Sequence, residues 1–212
     1  MSEYVELREK RNRGWPWPEA SFGRSPMYGE DGWCSKCGVP NRAQVGSLVL
    51  QGRGMSVHGA WLPYWRYEAI CVDSQLASRV RARFNVELRA VEWRGSAKGD
   101  AWQLVVPATG ESWFDRGELE AAATARHGLP GSPCPVCGIW KWMPLGYGEL
   151  PRIRACLGKD APDVVASPEW FGDGMSGFRQ LLVRRELAEV LAGASPKDFA
   201  VWPVEELLPV ER

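Results

Sequence analysis

Two cysteine motifs of the same form stand one hundred residues apart in this chain. Cys34 and Cys37 lie in the sequence CSKCG, and Cys134 and Cys137 lie in CPVCG. A C-x-x-C turn presents two thiolates at the spacing that a tetrahedral metal ion requires, and four thiolates bind structural zinc at Zn–S distances of about 2.3 Å. We therefore predict that these four cysteines bind one structural Zn²⁺ ion.

The glycine that follows each motif favours a common turn geometry. Gly38 and Gly138 can adopt a positive φ, which lets backbone N–H groups point toward the thiolates. Two other uses of the cysteines stay open, a redox-active pair and two disulfide bonds. A thioredoxin-like pair requires a helix at the cysteines, whereas Gly138 leads into IWKWMP, which is typical of a strand or an irregular segment.

The other residues that could carry chemistry form no catalytic motif. Of the two histidines, His127 precedes the second motif, and we interpret it as a helix-end residue rather than a ligand. Cys71 lies in an apolar stretch and is predicted to be buried, and Cys156 has no evident partner. The sequence contains no G-x-S-x-G, P-loop or H-E-x-x-H pattern, so we predict that the protein is not an enzyme.

The composition favours a globular protein with a sizeable core. The 212 residues are 45% hydrophobic and 25% charged, and 26 Lys and Arg balance 26 Asp and Glu. Balanced charge gives no bulk positive field that would attract nucleic acid or an anionic membrane. Because no apolar stretch resembles a signal peptide or a membrane span, we expect a soluble protein of a reducing compartment, the cytoplasm.

The hydrophobic pattern predicts an α+β fold. Residues 1–33 are rich in Gly, Pro and Trp without a sustained period, which indicates an irregular N-terminal arm. Downstream, residues 67–73 and 86–94 have the pattern of strands, and residues 75–84 have that of a helix between them. A further helix is predicted at 116–128, where a glycine closes it.

The chain also contains a candidate internal repeat. A shift of 111 residues aligns 67–80 with 178–191 and pairs apolar positions, for example Ile70 with Leu181. Either the repeat is genuine, or the two segments share only the general pattern of a strand–helix–strand unit.

These elements predict one zinc-stapled α+β domain over 34–212. We expect a zinc-ribbon or treble-clef-like lobe joined to two strand–helix–strand units, one in each of the halves 34–133 and 134–212. A metal ion shared by the two motifs would then link the halves and close a long loop of chain.

The motifs CSKCG and CPVCG resemble those of the double-CXXCG family, which is described chiefly in myxobacteria. The closing segment GFRQLLVRRELAEVLAGASPKDFAVWPVEE is similar to the C-terminal region of that family. The resemblance implies zinc binding. Some members are described as immunity proteins that neutralise lipoprotein toxins exchanged between kin cells, so the resemblance also implies an immunity role.

We therefore expect a non-enzymatic protein that binds a specific protein partner, namely an immunity protein that neutralises a cognate toxin. Trp61, Trp65 and Trp170 lie in loops before the two predicted units and are candidate anchors for the partner, although such rings also serve as core residues. The alternative is a zinc-ribbon-type nucleic-acid-binding or regulatory protein. Its basic patch would come from two groups of residues: Arg79, Arg81 and Arg83, and Arg8, Lys10, Arg11 and Arg13.

Overall fold

The computed structural model describes residues 3–11, 14–66, 68–146, 148–154, 157 and 160–204. Within these residues the chain forms four helices and thirteen strands, which confirms a mixed α+β fold. The predictions made for Tyr67, Cys156 and residues 205–212 fall outside the described part of the chain.

The helices are α1 (Arg24–Tyr28), α2 (Ser74–Arg83), α3 (Arg116–His127) and α4 (Arg185–Ala194). The strands up to α3 are β1 (Tyr4–Glu9), β2 (Val49–Gln51), β3 (Ala60–Trp61), β4 (Cys71–Asp73), β5 (Glu87–Ala90), β6 (Glu92–Arg94) and β7 (Ala101–Val105). The strands after α3 are β8 (Gly131–Pro133), β9 (Trp140–Trp142), β10 (Val164–Ala166), β11 (Trp170–Phe171), β12 (Leu181–Arg184) and β13 (Phe199–Pro203).

Two four-stranded antiparallel sheets have the same arrangement. The first sheet is ordered β3–β4–β7–β5, and the second sheet is ordered β10–β12–β1–β13. In the first sheet α2 connects β4 to β5, and in the second α4 connects β12 to β13. In both sheets a central strand runs antiparallel to the two strands that the helix connects.

The central strands are exchanged when the chain is divided in the loop between β6 and β7, into residues 1–95 and 96–212. β1 then belongs to the first part but lies between β12 and β13, whereas β7 belongs to the second part but lies between β4 and β5. The registers correspond, since Val5 faces Val183 as Trp102 faces Val72. Each sheet is therefore complete only when both of these parts contribute to it.

This arrangement corrects the prediction that residues 1–33 are an irregular arm. Tyr4–Glu9 form the central strand β1, and Arg24–Tyr28 form the short helix α1. Val5 is fully buried, and the stretch alternates apolar and charged residues as a strand does. The partners of β1 lie at the other end of the chain, so no neighbouring strand pattern marked it.

Side-chain caps explain where two helices begin. The Asp73 carboxylate accepts a hydrogen bond from the Leu76 N–H at 2.7 Å. This bond satisfies one of the backbone N–H groups at the start of α2 that have no intrahelical partner. Asp115 caps α3 in the same way through the Glu118 N–H. At the other end of α3, Gly128 has the left-handed φ of +75° that closes many helices. The helix predictions are confirmed to within one residue, while the strand predicted at 67–73 is shortened to β4.

The two strand–helix–strand units pack into one hydrophobic core. The core joins buried residues of α2 and its sheet, such as Val72 and Leu76, to buried residues of α4 and its sheet, such as Val183 and Leu187. Each fully buried side chain of this kind contributes about 1.5–3 kcal/mol relative to exposure. A second core forms under α3 around Trp113, and the cysteine motifs lie beside these cores in a small cluster of their own.

Candidate metal centre

The two cysteine motifs meet in space. The Sγ atoms of Cys34 and Cys134 lie 3.8 Å apart, those of Cys37 and Cys137 lie 3.6 Å apart, and all four lie within 4.8 Å of one another. Ligands at about 2.3 Å from a tetrahedral ion place neighbouring sulfurs about 3.8 Å apart. The four predicted cysteines can therefore hold one metal ion, and none of them is in a disulfide.

Both motifs form the same turn. The Cys34 N–H donates to the Val39 carbonyl, and the Gly38 N–H donates to the Cys34 carbonyl. The second motif repeats both bonds one hundred residues later, through Cys134, Ile139 and Gly138, and both glycines have a φ of +74°. A residue with a Cβ would be strained at this φ, and a Cβ at Gly38 would also lie 2.3 Å from the Met175 carbonyl oxygen.

A buried lysine joins the first motif to the second half. Lys141 lies on β9, and its ammonium donates to the carbonyl oxygens of Cys37 (3.3 Å), Gly174 (2.5 Å) and Ser176 (3.0 Å). Gly174 and Ser176 belong to a glycine-rich loop, residues 172–177, which we call the clamp loop. Burial lowers the pKa of Lys141, and the neighbouring Cys37 opposes that shift.

A buried arginine makes a second link to the clamp loop. The Nε of Arg24 donates to the Gly38 carbonyl at 2.8 Å, and its Nη2 donates to the Met175 carbonyl at 2.6 Å. Two cations therefore lie beside a cluster that carries negative charge once its thiols ionise. Neither residue was predicted to contribute to the site, although a lysine between two tryptophans in WKW was a signal for Lys141.

The four thiols differ in acidity. Burial raises the pKa of Cys37 to about 12 and also raises that of Cys137. The backbone N–H groups of Cys137 and Val136 instead lower the pKa of Cys134 to about 6. Four thiolates in so small a volume repel one another, so their joint ionisation requires a bound cation, and metal binding releases protons.

The three candidate anchor tryptophans have different environments. Trp61 is 0% exposed and belongs to the core, so its interpretation as an anchor is wrong. Trp170 is half-buried against the cysteine cluster, and the Arg179 guanidinium lies 4.9 Å from its ring centre. Trp65 is 52% exposed, so only this ring of the three is open to a partner over most of its face.

Trp65 belongs to a row of aromatic rings that the sequence analysis did not identify. The ring centres of Trp17 and Tyr64 are 4.4 Å apart, those of Tyr64 and Trp65 are 5.7 Å apart, and those of Trp65 and Phe22 are 5.8 Å apart. Trp65 and Phe22 both have left-handed backbones, with φ of +58° and +56°. Such strain costs about 1–3 kcal/mol per residue and concentrates at functional sites. We call these four residues the aromatic row.

Other predicted residues lie away from the metal centre. Cys71 is fully buried, as expected, and burial raises the pKa of its thiol. His127 ends α3 and contacts the Pro144 carbonyl, so it is not among the four ligands. On α2, Arg79 and Arg83 line a surface hollow together with the acidic residues Glu186 and Glu189, so no uniformly basic face forms there.

Comparisons with family models, curated proteins and solved structures found no match to this chain. The resemblance to the double-CXXCG family therefore stays a prediction. Among the described residues, no helix is long and apolar enough to cross a bilayer.

Proposed function

We propose that the protein is a non-enzymatic zinc protein whose single Zn²⁺ ion staples the two halves of the chain and thereby supports a partner-binding surface. The observation that carries this proposal is the meeting of Cys34, Cys37, Cys134 and Cys137, whose four sulfurs lie within 4.8 Å of one another. Four thiolates in a tetrahedral arrangement favour Zn²⁺ over hard cations such as Mg²⁺ and Ca²⁺.

A structural role for the ion is supported by the ligand set. Four protein ligands complete the tetrahedron and leave no position for a reactive water. The backbones around the sulfurs are also tied down, since Lys141 and Arg24 connect the first motif to the clamp loop. Thiolate ligands require a reducing compartment, and the cytoplasm is the location that we propose.

The aromatic row supports the partner-binding part of the proposal. Large rings that combine contact area with few rotatable bonds are the usual anchors of protein interfaces. The row includes Trp17 and Trp65, which are 39% and 52% exposed, and none of its four members carries a charge. We propose that it binds an apolar segment of a protein partner, with a cognate toxin as the partner that the family resemblance favours.

We also propose that the chain arose as a tandem repeat. The pairing of strands supports it, because the two sheets have the same order and corresponding registers around their exchanged central strands. A buried ion pair adds support: Glu68 and Arg179 are separated by 111 residues, the shift that aligns the two units, and they contact each other. Two copies related by an approximate twofold axis place equivalent residues together in this way.

Metal analysis tests the zinc part of the proposal. Protein purified under reducing conditions should contain one zinc per chain, and the four motif cysteines should resist thiol reagents until a chelator removes the metal. Two metals per chain, or reactive motif thiols in metal-loaded protein, would overturn the shared site.

A matched pair of tryptophan variants tests the partner-binding part. Trp65→Ala should keep the zinc content and the melting temperature but weaken binding of the proposed cognate toxin by about 2 kcal/mol or more. Trp61→Ala should instead lower stability by about 3–5 kcal/mol, because Trp61 is a core residue. Protection against the toxin should require about one equivalent of protein. Full protection by trace amounts would overturn the non-enzymatic assignment.

A further inference from the structure

A cavity of about 560 Å³ lies behind the first cysteine motif. Its walls are the segment that follows that motif (residues 40–44), the end of β7 with the chain after it (residues 105–108), and Trp170 of β11. Five charged side chains line it: Arg66, Glu68 and Arg179 lie inside, and Arg42 and Glu87 are exposed at its edge. We call it the arginine cavity.

Three of the five charged side chains of the arginine cavity are largely withdrawn from water. Arg66 is 8% exposed, and the side chains of Arg179 and Glu68 are 13% and 11% exposed. Arg179 donates through Nε (3.0 Å) and Nη2 (2.8 Å) to the same Glu68 oxygen, Oε2. One arginine is therefore paired with the only buried carboxylate lining this cavity, and Arg66 has no carboxylate partner among the described residues.

Two buried polar atoms of this group lack a hydrogen-bond partner in the described part of the chain. They are the Nε donor of Arg66 and the second carboxylate oxygen of Glu68, Oε1. Arg66 otherwise contacts the Met27 sulfur at 3.7 Å, which is a weak acceptor, and the Tyr28 phenol. Burying a charge and leaving its hydrogen-bonding capacity unused is costly, so we expect a ligand or a water molecule to complete the hydrogen bonds of these two atoms.

We propose that the arginine cavity binds a small zwitterion of the amino-acid or dipeptide class. The carboxylate of the ligand pairs with the Arg66 guanidinium, and its ammonium donates to Oε1 of Glu68. The rest of the ligand lies along the apolar wall formed by Val105, Val106 and Trp170.

The pairing of one open donor with one open acceptor selects a zwitterion over a simple anion. An anion alone would satisfy Arg66 but would approach the unpaired Glu68 oxygen with a second negative charge. An amine alone would satisfy Glu68 but would be repelled by the positive charge of Arg66. A molecule with both groups satisfies both atoms, and the cavity volume accommodates a free amino acid or a dipeptide.

The molecule contains a contrasting cavity of similar size. It measures about 490 Å³ and takes most of its lining from apolar residues, among them Leu7, Leu62, Ile70, Phe178 and Phe199. Because it lacks Arg66 and Glu68, the proposed ligand should occupy one site per chain.

Titration calorimetry on the zinc-loaded full chain tests the proposal. The probes are L-alanine, L-leucine, L-phenylalanine, L-glutamate and L-arginine, with Ala-Ala and Leu-Leu as dipeptides. Each amino acid that binds is compared with its own deaminated acid and its own decarboxylated amine. We expect at least one zwitterion to bind at one site, about tenfold or more tighter than both of its analogues.

The order of affinities identifies the source of the ligand. Tighter binding of a single residue indicates a free amino acid, and tighter binding of a dipeptide indicates a peptide product. Either order supports the site. Failure of every zwitterion to bind at about 10 mM, or equal affinity for the deaminated acid, would overturn the proposal.

Two variants separate ligand binding from folding. Arg66→Leu should lower the affinity for the zwitterion by about tenfold or more. The melting temperature of the unliganded protein should stay the same or rise, because an uncompensated buried charge is removed. Glu68→Gln, which keeps the shape of the side chain, should also weaken binding by about tenfold. Arg79→Leu on the exposed face of α2 is the control and should bind as the wild type does.

If Arg66→Leu does not fold, Glu68→Gln decides the outcome. Wild-type affinity in either folded variant would overturn the assignment of these two residues.

Discussion

Each thiolate of the metal centre has a counterpart one hundred residues away, and the counterparts lie next to each other. Cys34 is adjacent to Cys134, and Cys37 is adjacent to Cys137. Since neither motif has two further ligands of its own among the described residues, an ion bound here would draw equally on both.

This equivalence predicts that Cys34→Ser and Cys134→Ser have the same effect. Either change removes one thiolate from the same ion, so both variants should lose zinc affinity to a similar degree and lose hydrogen-exchange protection around both motifs. Zinc competition with a chromogenic chelator and exchange mass spectrometry measure these effects. Loss of protection confined to the mutated motif would instead indicate two independent sites.

The ammonium of Lys141 bonds to backbone carbonyl oxygens beside the four cysteines rather than to a sulfur. Lys141→Met should lower stability by about 2 kcal/mol or more, because it leaves buried carbonyl oxygens unpaired and removes a positive charge beside the thiolates. The variant should also release zinc faster. Denaturant unfolding and metal-release kinetics provide the two measurements.

Lys36→Met is the matched control for Lys141. Lys36 is exposed and directly precedes Cys37, so its charge is adjacent to the motif in sequence but is solvated. We expect little change in stability or zinc release. Equal effects of the two substitutions would mean that positive charge near the thiolates, rather than the hydrogen bonds to the clamp loop, determines stability and zinc release.

At the scale of elements, the most consequential strand is β1. It lies between β12 and β13, with Val5 facing Val183 on one side and Pro203 on the other. Both neighbours rely on it, since β12 and β13 are parallel to each other and do not pair directly.

Removal of residues 1–10 should therefore disrupt the second sheet. We expect loss of hydrogen-exchange protection in Leu181–Arg184 and Phe199–Pro203, with a large fall in melting temperature, because the central strand and the buried Val5 are both lost. Lys10→Ala in the full chain removes an exposed side chain and its hydrogen bond to the Pro196 carbonyl but leaves β1 in place, and it serves as control. A truncated protein that keeps native protection in both strands would contradict this role for β1.

Local signals explain which elements were predictable from the sequence. α2 was predictable because Asp73 caps it and its apolar residues repeat at helical spacing, both within a dozen residues of chain. The metal ligands were predictable because a C-x-x-C-G turn carries its own geometry. β1 was not, since a six-residue alternation is a weak signal when its pairing partners are distant in sequence.

Burial within the segment WLPYW depended on tertiary packing. Trp61 and Trp65 are of the same type and four residues apart, yet the first lies in β3 within the core and the second is in a strained turn at the surface. No periodicity separates them. The clamp loop was missed for a related reason: its glycines predict a loop, but only the folded chain places that loop against Arg24 and Lys141.

At the scale of the whole molecule, the exchange of central strands makes residues 1–95 and residues 96–212 depend on each other for folding. The chain from the beginning to β6 contains β1 but lacks the central strand of the first sheet, and the chain from β7 onward supplies that strand but lacks its own. Each half also supplies two of the four thiolates.

A chain cut between Gly95 and Ser96 should therefore reassemble. These residues are exposed in the loop between β6 and β7. We expect fragments 1–95 and 96–212 to be largely unfolded alone, and to form an equimolar complex with one zinc when mixed under reducing conditions. Light scattering after size-exclusion chromatography measures the stoichiometry. Fragments that fold separately and stay apart would show that the exchange does not govern assembly.

The pairing of Glu68 with Arg179 restricts which fragments can combine. Two copies of the first fragment, docked in the manner of the native halves, would place Glu68 against Glu68, and two copies of the second would place Arg179 against Arg179. Buried like charges are strongly unfavourable, so the mixed complex should form in preference to either symmetric one.

The position of β1 also has a consequence for biosynthesis. A ribosome releases β1 long before it makes β12 and β13, because the chain between Glu9 and Leu181 must be translated first. At about 5–20 residues per second, the strand waits on the order of ten seconds or more without its partners. During that interval its hydrogen-bonding edges and the buried face of Val5 are open to chaperones or to another nascent chain, so translation speed across the second half should affect the yield of native protein.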